Sequence, residues 1–175
     1  GGAGNIGLTV VNKLIEEDIE SVILDLPQQI EMNKDRIQPI VKSVSGSILD
    51  KESIEEAIDG CSHVIHLAAV LGVKNTESNL LNCLNINIKG TNNILEISSK
   101  VGVKKFLFAS SSEVYGEALS IPINENSITQ GKTAYGVSKL AGEELVKAYS
   151  QRFPDLKYSI LRFFNVFGPD QVNQF

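Results

Sequence analysis

The sequence predicts an α/β protein with a doubly wound parallel sheet, and two observations support this. Short apolar runs rich in β-branched residues alternate along the chain with longer segments of helical periodicity. Strands and helices that alternate in this way form right-handed crossovers, so the strands run parallel and helices cover both faces. Glycine-rich and polar motifs also stand next to these strands, where the edge of an open parallel sheet binds its ligands.

The individual elements follow from the spacing of apolar residues. The predicted helices cover 6–15, 50–58 with Asp50 as N-cap, a stretch within 79–100, and about 133–153. The predicted strands cover 21–25, a weaker run at 39–44, then 63–68, 105–109 and 158–162. A loop over 163–169 then leaves the last strand.

Bulk properties narrow the class of protein. The 175 residues, 42% of them apolar, suit one globular domain, and a net charge of −5 argues against a nucleic-acid partner. No apolar run approaches the roughly 20 residues that cross a bilayer, so no membrane partner is expected. Cys61 and Cys83 lack metal-ligand spacing, and we interpret them as reduced packing residues in a cytoplasmic protein with no metal site.

Both ends of the sequence are abrupt for such a fold. The first residues form a glycine-rich turn that a strand would normally precede, and the loop after the last strand connects to nothing. We therefore expect one domain over 1–175 that is truncated at its first strand and lacks most of a C-terminal substrate region. This leaves open whether the chain is active by itself.

The glycine turn carries a dinucleotide-binding fingerprint. Gly2, Gly4 and Gly7 give G-x-G-x-x-G, and Gly1-x-x-Gly4 overlaps it. Such glycines allow a tight turn and a close approach of the backbone to a pyrophosphate at the helix N-terminus. Asp25 ends the next predicted strand, where a carboxylate binds a ribose diol and repels a 2′-phosphate, and no arginine is beside it in sequence. These features favour NAD over NADP.

A candidate catalytic group follows later in the chain. Tyr135 and Lys139 are four residues apart at the start of a predicted helix and so project from one face. An adjacent ammonium and a cationic nicotinamide would lower the tyrosine pKa and make it a base. The hydroxyls of Ser111 and Ser112 follow the strand over 105–109, at the ligand-binding edge of the sheet. His66, at a strand end, is interpreted as a packed imidazole.

These motifs together resemble the extended short-chain dehydrogenase/reductase family, Rossmann-type enzymes that act on nucleotide sugars. The matching segments also include His66-Leu67-Ala68-Ala69, Asn87-x-x-Gly90-Thr91 and Arg162-Phe163-Phe164-Asn165. The resemblance implies Tyr135 as general base, Lys139 as its partner and Ser111 as the hydroxyl that bridges to the sugar oxygen. The implied cofactor-binding residues are Gly1, Gly4, Asn5, Ile6, Gly7, Asp25, Ile48, Leu67, Ala68, Ala69, Asn87, Tyr135, Lys139 and Phe164. The implied substrate-binding residues are Ser111, Ser112, Tyr135 and Asn165.

Two positions depart from the family pattern. Asn5 stands where members usually carry an aromatic residue, and Ser47 stands where an aspartate commonly binds adenine. Ile48 is expected to pack on the adenine ring.

The resemblance implies NAD-dependent oxidation of a nucleotide-diphosphate sugar to a 4-keto sugar, with several possible outcomes. A 4-epimerase is preferred, while a 4,6-dehydratase or a UDP-glucuronate decarboxylase stays open because Glu113 could act as an acid or base in a later step. A non-catalytic NAD-sensing protein is a distant alternative, since such proteins lack the Tyr/Lys pair or the hydroxyl. Family members commonly form homodimers through the two long helices. The apolar residues on these helices are Leu80, Leu84, Ile88, Leu140, Leu145 and Ala148.

Overall fold

A computed structural model describes residues 1–70 and 79–168 and contains parallel strands separated by helices. The strands are β1 (Val22–Asp25), β2 (Lys42–Ser45), β3 (His63–His66), β4 (Lys105–Ser111) and β5 (Lys157–Phe163). The helices are α1 (Asn5–Glu16), α2 (Pro27–Met32), α3 (Lys51–Ile58), α4 (Leu80–Leu84), α5 (Gly90–Val101) and α6 (Ala134–Arg152). Short 3₁₀ turns cover Lys34–Arg36 and Ser112–Tyr115, and a π-helical turn covers Asn85–Lys89.

The strands form two parallel groups. β1 pairs with β2, and β3, β4 and β5 are neighbours in that order. The glycine loop before α1 lies between the carboxyl ends of β1 and β3, because Gly1 donates to the Leu24 carbonyl and lies against Ala68. The candidate cofactor and catalytic motifs therefore converge at the carboxyl edge of the strands.

Two hydrophobic clusters hold the helices on these strands. The smaller one packs α1 against β1 through Leu8, Val11 and Ile23. The larger one joins α3, α5 and α6 to the central strands, with Phe106 and Phe108 of β4 almost completely buried. Burial of β4 between helices explains its nearly continuous apolar sequence.

The Rossmann-type fold class is confirmed, and the deviations from the predicted elements have local causes. The strand predicted over 39–44 begins only at Lys42, because Val41 closes a turn onto the Gln38 carbonyl around Pro39, which has no N–H for a ladder. Leu67 and Ala68 lie beyond β3 rather than inside it. The helix predicted within 79–100 is divided into α4 and α5 by the π-helical turn. The short helix α2 was not predicted.

Within residues 1–70 and 79–168, no helix has both the length and the apolar character needed to cross a membrane.

Candidate active site

The glycine loop is packed too closely against backbone for side chains at two of its positions. A Cβ on Gly1 would lie 2.4 Å from the Ala68 nitrogen, and a Cβ on Gly7 would lie 2.5 Å from the Gly2 carbonyl oxygen. The first contact joins the loop to the segment after β3, and the second lets α1 start directly on the loop. These glycines therefore set the backbone path that a dinucleotide cradle requires.

The start of α1 is available to an anion. Its N-cap, Gly4, has no side-chain capping hydrogen bond, and the first turn contains no acidic residue. Unpaired N–H groups and the positive helix end are the features that bind a diphosphate. Asn5 and Ile6 occupy this first turn, as the cofactor prediction requires.

Asp25 ends β1 and fastens the glycine loop. Its Oδ2 accepts from the Ala3 nitrogen at 2.9 Å, and its Oδ1 accepts from the Leu26 nitrogen at 2.8 Å. A carboxylate has further acceptor capacity on both oxygens, so these bonds leave Asp25 able to accept from ribose hydroxyls. The sequence indicated the ribose role alone and missed this anchoring role.

The segment after β3 is braced by Asn87. Asn87 is buried in the π-helical turn, accepts from the Val70 nitrogen at 2.8 Å and donates to the Val70 carbonyl at 3.1 Å. The same amide donates to Ser138 Oγ on α6 at 2.9 Å. Asn87 therefore links Val70, in the segment after β3, to Ser138 on α6.

His66 is a packed imidazole, as interpreted from the sequence. It lies beside the Phe106 and Phe108 rings, and its Nε2 is 2.9 Å from Thr91 Oγ1. Because the Thr91 hydroxyl donates its single hydrogen to the Asn87 carbonyl, Nε2 must carry the proton and donate to Thr91. Burial lowers the pKa of His66 well below its usual value, so the ring is neutral.

The predicted catalytic side chains converge where β4 ends and α6 begins. Ser111 is the last residue of β4, and its hydroxyl lies close enough to the phenol of Tyr135 to lower the pKa of that phenol. Lys139 is buried one turn further along α6, with its Nζ 5.6 Å from the Tyr135 ring centroid and 2.7 Å from the Ala109 carbonyl. Hydroxyl, phenol and amine are therefore within one small region, which is the arrangement that proton transfer needs.

Glu113 lies at the same place but on the outer side. Its Oε2 accepts from Thr133 Oγ1 at 2.7 Å, and Thr133 caps α6 by accepting from the Gly136 nitrogen at 2.9 Å. The side chain is exposed, and its charge raises the pKa of Tyr135. Glu113 is therefore held near Tyr135 by the N-cap residue of α6.

Comparison with known proteins identifies the family. A model of the NAD dependent epimerase/dehydratase family matches residues 1–175. The chain belongs to this family. It is 40% identical over 174 residues to a putative UDP-glucose 4-epimerase of Methanocaldococcus jannaschii, a match that covers 98% of this chain and 56% of that protein.

Further relatives in the family differ in their reactions. A UDP-N-acetyl-alpha-D-glucosaminuronate decarboxylase of Bacillus cytotoxicus is 33% identical, with 97% of this chain and 54% of that protein covered. The structure of a UDP-glucose 4-epimerase from Thermus thermophilus in complex with NAD matches with a TM-score of 0.90 and 32% identity, over 98% of this chain and 56% of that one. The chain thus spans about half the length of the relatives it matches.

The pKa values of Tyr135 and Lys139 are both shifted by burial. Burial, together with the negative charge of Glu113, raises the pKa of Tyr135 to about 12, and the Ser111 hydroxyl partly opposes this rise. Burial also lowers the pKa of Lys139 to about 8. The predicted lowering of the tyrosine pKa requires both the Lys139 ammonium and a bound cationic nicotinamide, and in the chain alone the buried Nζ of Lys139 donates to the Ala109 carbonyl.

Three further predicted site residues differ in their burial. Ile48 is buried, whereas Phe164 and Asn165 are exposed. Ile48 is 8% exposed and packs on α5, where a Cβ on Gly90 would lie 2.3 Å from its Cδ1, so most of its surface is used within the protein. Phe164 is 61% exposed, with its ring 6.5 Å from that of Tyr115, and Asn165 is exposed beside it. These two residues, like the rest of the described segment 164–168 after β5, are therefore exposed at the edge of the site.

Two charged residues of the site were missed in the sequence. Arg36 donates from Nη2 to Asn5 Oδ1 at 3.2 Å, so an arginine does reach the glycine loop although none is beside Asp25 in sequence. Glu143, one turn after Lys139, is completely buried and ion-paired with Arg162. Arg162, a charged residue within the predicted strand over 158–162, was the available signal for the Glu143–Arg162 pair. The position of Arg36, by contrast, depends on the fold.

Proposed function

We propose that the full-length protein is an NAD-dependent nucleotide-sugar epimerase of the 4-epimerase type that acts through a 4-keto sugar. The observation that supports this most directly is the convergence of Ser111, Tyr135 and Lys139 at the strand edge that also holds the glycine loop. Several relatives are UDP-glucose 4-epimerases, and this agrees with the proposed chemistry.

The residues of the cradle suit NAD. The close-packed glycines leave room for a pyrophosphate at the start of α1, Asp25 offers acceptors for the ribose diol, and the relative from T. thermophilus binds NAD. Bound in this cradle, NAD would supply the reversible hydride acceptor that oxidation of the sugar requires. Lys139 is expected to hold the nicotinamide ribose, and Phe164 to cover the nicotinamide ring.

The chain's own groups handle the proton. Tyr135 accepts the proton of the sugar C4 hydroxyl, and the Ser111 hydroxyl bridges that oxygen to the phenol. Since the pKa of Tyr135 is about 12 in the chain alone, the positive charge of the oxidised nicotinamide is needed to favour the phenolate. Asn165 and Ser112 are expected to bind the substrate, Asn165 through its diphosphate.

A decarboxylase is the second candidate, because Glu113 is positioned to act in a step that follows oxidation of the sugar. Glu113 is held by Thr133 next to Tyr135, so an acid or base is present for a step after oxidation. One of the relatives is named as a decarboxylase of a nucleotide-linked uronic acid.

The experiment that separates these functions is a product analysis. Full-length protein with NAD⁺ is incubated separately with UDP-glucose, UDP-galactose and UDP-glucuronate, and products are identified by NMR. Interconversion of the two neutral sugars supports the epimerase, release of carbon dioxide from the uronate supports the decarboxylase, and turnover of no nucleotide sugar contradicts both.

We also propose that the full-length protein is a homodimer. An apolar groove between the α4–α5 region and α6 is lined partly by Leu81, Leu84, Ile88 and Leu145, and Leu81 is 80% exposed. Burial of such a surface against a second copy is favourable. A monomer found by light scattering at micromolar concentration would contradict the dimer without affecting the proposed chemistry.

A further inference from the structure

Glu143 is a buried carboxylate at the centre of the catalytic region. It lies on α6 one helical turn after Lys139 and is 0% exposed. Its Oε1 accepts from Ser110 Oγ at 2.5 Å and from Arg162 Nε at 2.9 Å, while its Oε2 accepts from Arg162 Nη2 at 2.7 Å. Three donors from two neighbouring strands therefore surround one helix carboxylate.

These bonds keep Glu143 ionised despite its burial. Burial raises the pKa of the carboxyl, but the hydrogen bonds from Arg162 and Ser110 outweigh this and hold it below its usual value. A two-point bond between a guanidinium and a carboxylate fixes orientation as well as charge. By contrast, the neighbouring Glu144 forms an exposed ion pair with Lys147, a kind of pair that contributes little to stability.

The donors of Glu143 are adjacent to the reacting groups. Ser110 stands between Ala109, whose carbonyl accepts from Lys139, and Ser111. A shift of Ser110 would therefore move both the carbonyl that holds Lys139 and the Ser111 hydroxyl, which lowers the pKa of Tyr135.

Arg162 extends the connection to the turn after β4 and to the segment around Glu125. Its Nη1 donates to the Tyr115 hydroxyl at 3.0 Å and to the Glu125 carbonyl at 3.1 Å, and its guanidinium carbon lies 4.9 Å from the Tyr115 ring centroid. Arg162 is followed directly by Phe163 and Phe164. The pair thus joins α6, β4, β5 and the turn after β4.

We propose that Glu143, through Arg162 and Ser110, is a positioning residue that sets the relative placement of Ser111, Tyr135 and Lys139 for proton transfer. This inference rests on the proposed function. The effect is expected in the chemical step, because misplacement of a reacting group by about 1 Å can cost about 10²-fold in rate. Glu143 is completely buried, so its carboxylate is not exposed to a bound substrate.

The test compares Glu143→Gln with Glu144→Gln in the full-length protein with NAD⁺ and UDP-glucose. Glutamine keeps the size of Glu143 but directs an amide donor at Ser110 or Arg162. We expect kcat to fall about 10- to 100-fold while KM changes little, and the pH profile of kcat to shift because the surroundings of Lys139 change. Glu144→Gln should leave kcat, KM and the pH profile unchanged.

Ser110→Ala is the second variant, since it retains the ion pair and the fold if Glu143→Gln fails to fold. It should lower kcat and shift the pH profile in the same direction, with KM nearly constant. A folded variant with normal kcat and an unshifted pH profile would overturn the positioning role. Wild-type protein without activity on any nucleotide sugar would instead reject the proposed function, so the two failures are distinguishable.

Discussion

The cofactor cradle and the catalytic region are built by different means. In the cradle, residues 1–25, the decisive contacts are close approaches of backbone that only glycine permits, and the Asp25 side chain fastens the loop by binding backbone N–H groups. In the catalytic region, residues 63–163, side chains bind other side chains, as in the Asn87–Ser138 and Glu143–Arg162 pairs. All the buried polar side chains of the described residues lie between His66 and Glu143.

This difference determines how each region responds to substitution. The cradle depends on the absence of side-chain atoms, so small additions should damage it. The catalytic region depends on specific polar groups in a low-dielectric interior, where an altered partner is costly.

The largest effect is expected for Tyr135→Phe. Removal of the phenol should reduce formation of the keto sugar by at least about 10²- to 10⁴-fold, because no base accepts the C4 proton, while NAD stays bound. Turnover and bound NAD are measured in the full-length protein. Tyr158→Phe, at an exposed position of β5, is the control, and normal turnover by Tyr135→Phe would reject the assigned chemistry.

A methyl group in the cradle should have the next largest effect. Gly7→Ala places a Cβ 2.5 Å from a carbonyl oxygen, so we expect a lower melting temperature, a loss of about 1–3 kcal/mol in unfolding free energy and weaker NAD binding by calorimetry. Gly4→Ala has ordinary contact, with its nearest atom at 3.5 Å, and should not change the stability. Equal destabilisation by both variants would refute the steric explanation.

The buried imidazole should make stability depend on pH. Because the pKa of His66 is well below 6.5 in the folded chain, the unfolded chain binds more protons below pH 6.5, and stability falls as pH decreases. The contribution is about 1.4 kcal/mol per pH unit below that value, until the folded pKa is reached. The free energy of unfolding, measured with urea at several pH values, should depend less steeply on pH for His66→Gln than for the wild type.

The second histidine of the same strand provides the control for this slope. His63 is exposed at the start of β3, so His63→Gln should keep the wild-type pH dependence. A His66→Gln slope equal to that of the wild type would show that the imidazole does not titrate as its burial indicates.

The smallest effect is expected for Glu113→Gln. In a 4-epimerase the carboxylate has no proton to move after oxidation, and glutamine keeps an acceptor for Thr133, so turnover should stay within about twofold. Near-ultraviolet absorbance monitors reduced cofactor. Accumulation of NADH with the keto sugar would overturn the preference for an epimerase and favour a reaction with a later step at Glu113.

The sequence by itself determined the features that arise from local chemistry. Periodicity predicted the alternation of strands and helices, the glycine spacing predicted the cradle, and the four-residue spacing placed Tyr135 and Lys139 on one face of α6. Local signals also gave Asp50 as a helix cap, since its carboxylate accepts from the backbone of α3. These features depend on residues within a few positions of one another.

Only the tertiary structure decided which distant residues became partners. Arg36 reaches Asn5 across 31 positions, Asn87 reaches Ser138 across 51, and Glu143 reaches Arg162 across 19. The tertiary structure also decided the direction in which the pKa of Tyr135 shifts, because burial and the distance to Lys139 depend on how α6 packs on β4. Pairing and desolvation are set by packing between elements, and the spacing of residues along the chain does not contain that information.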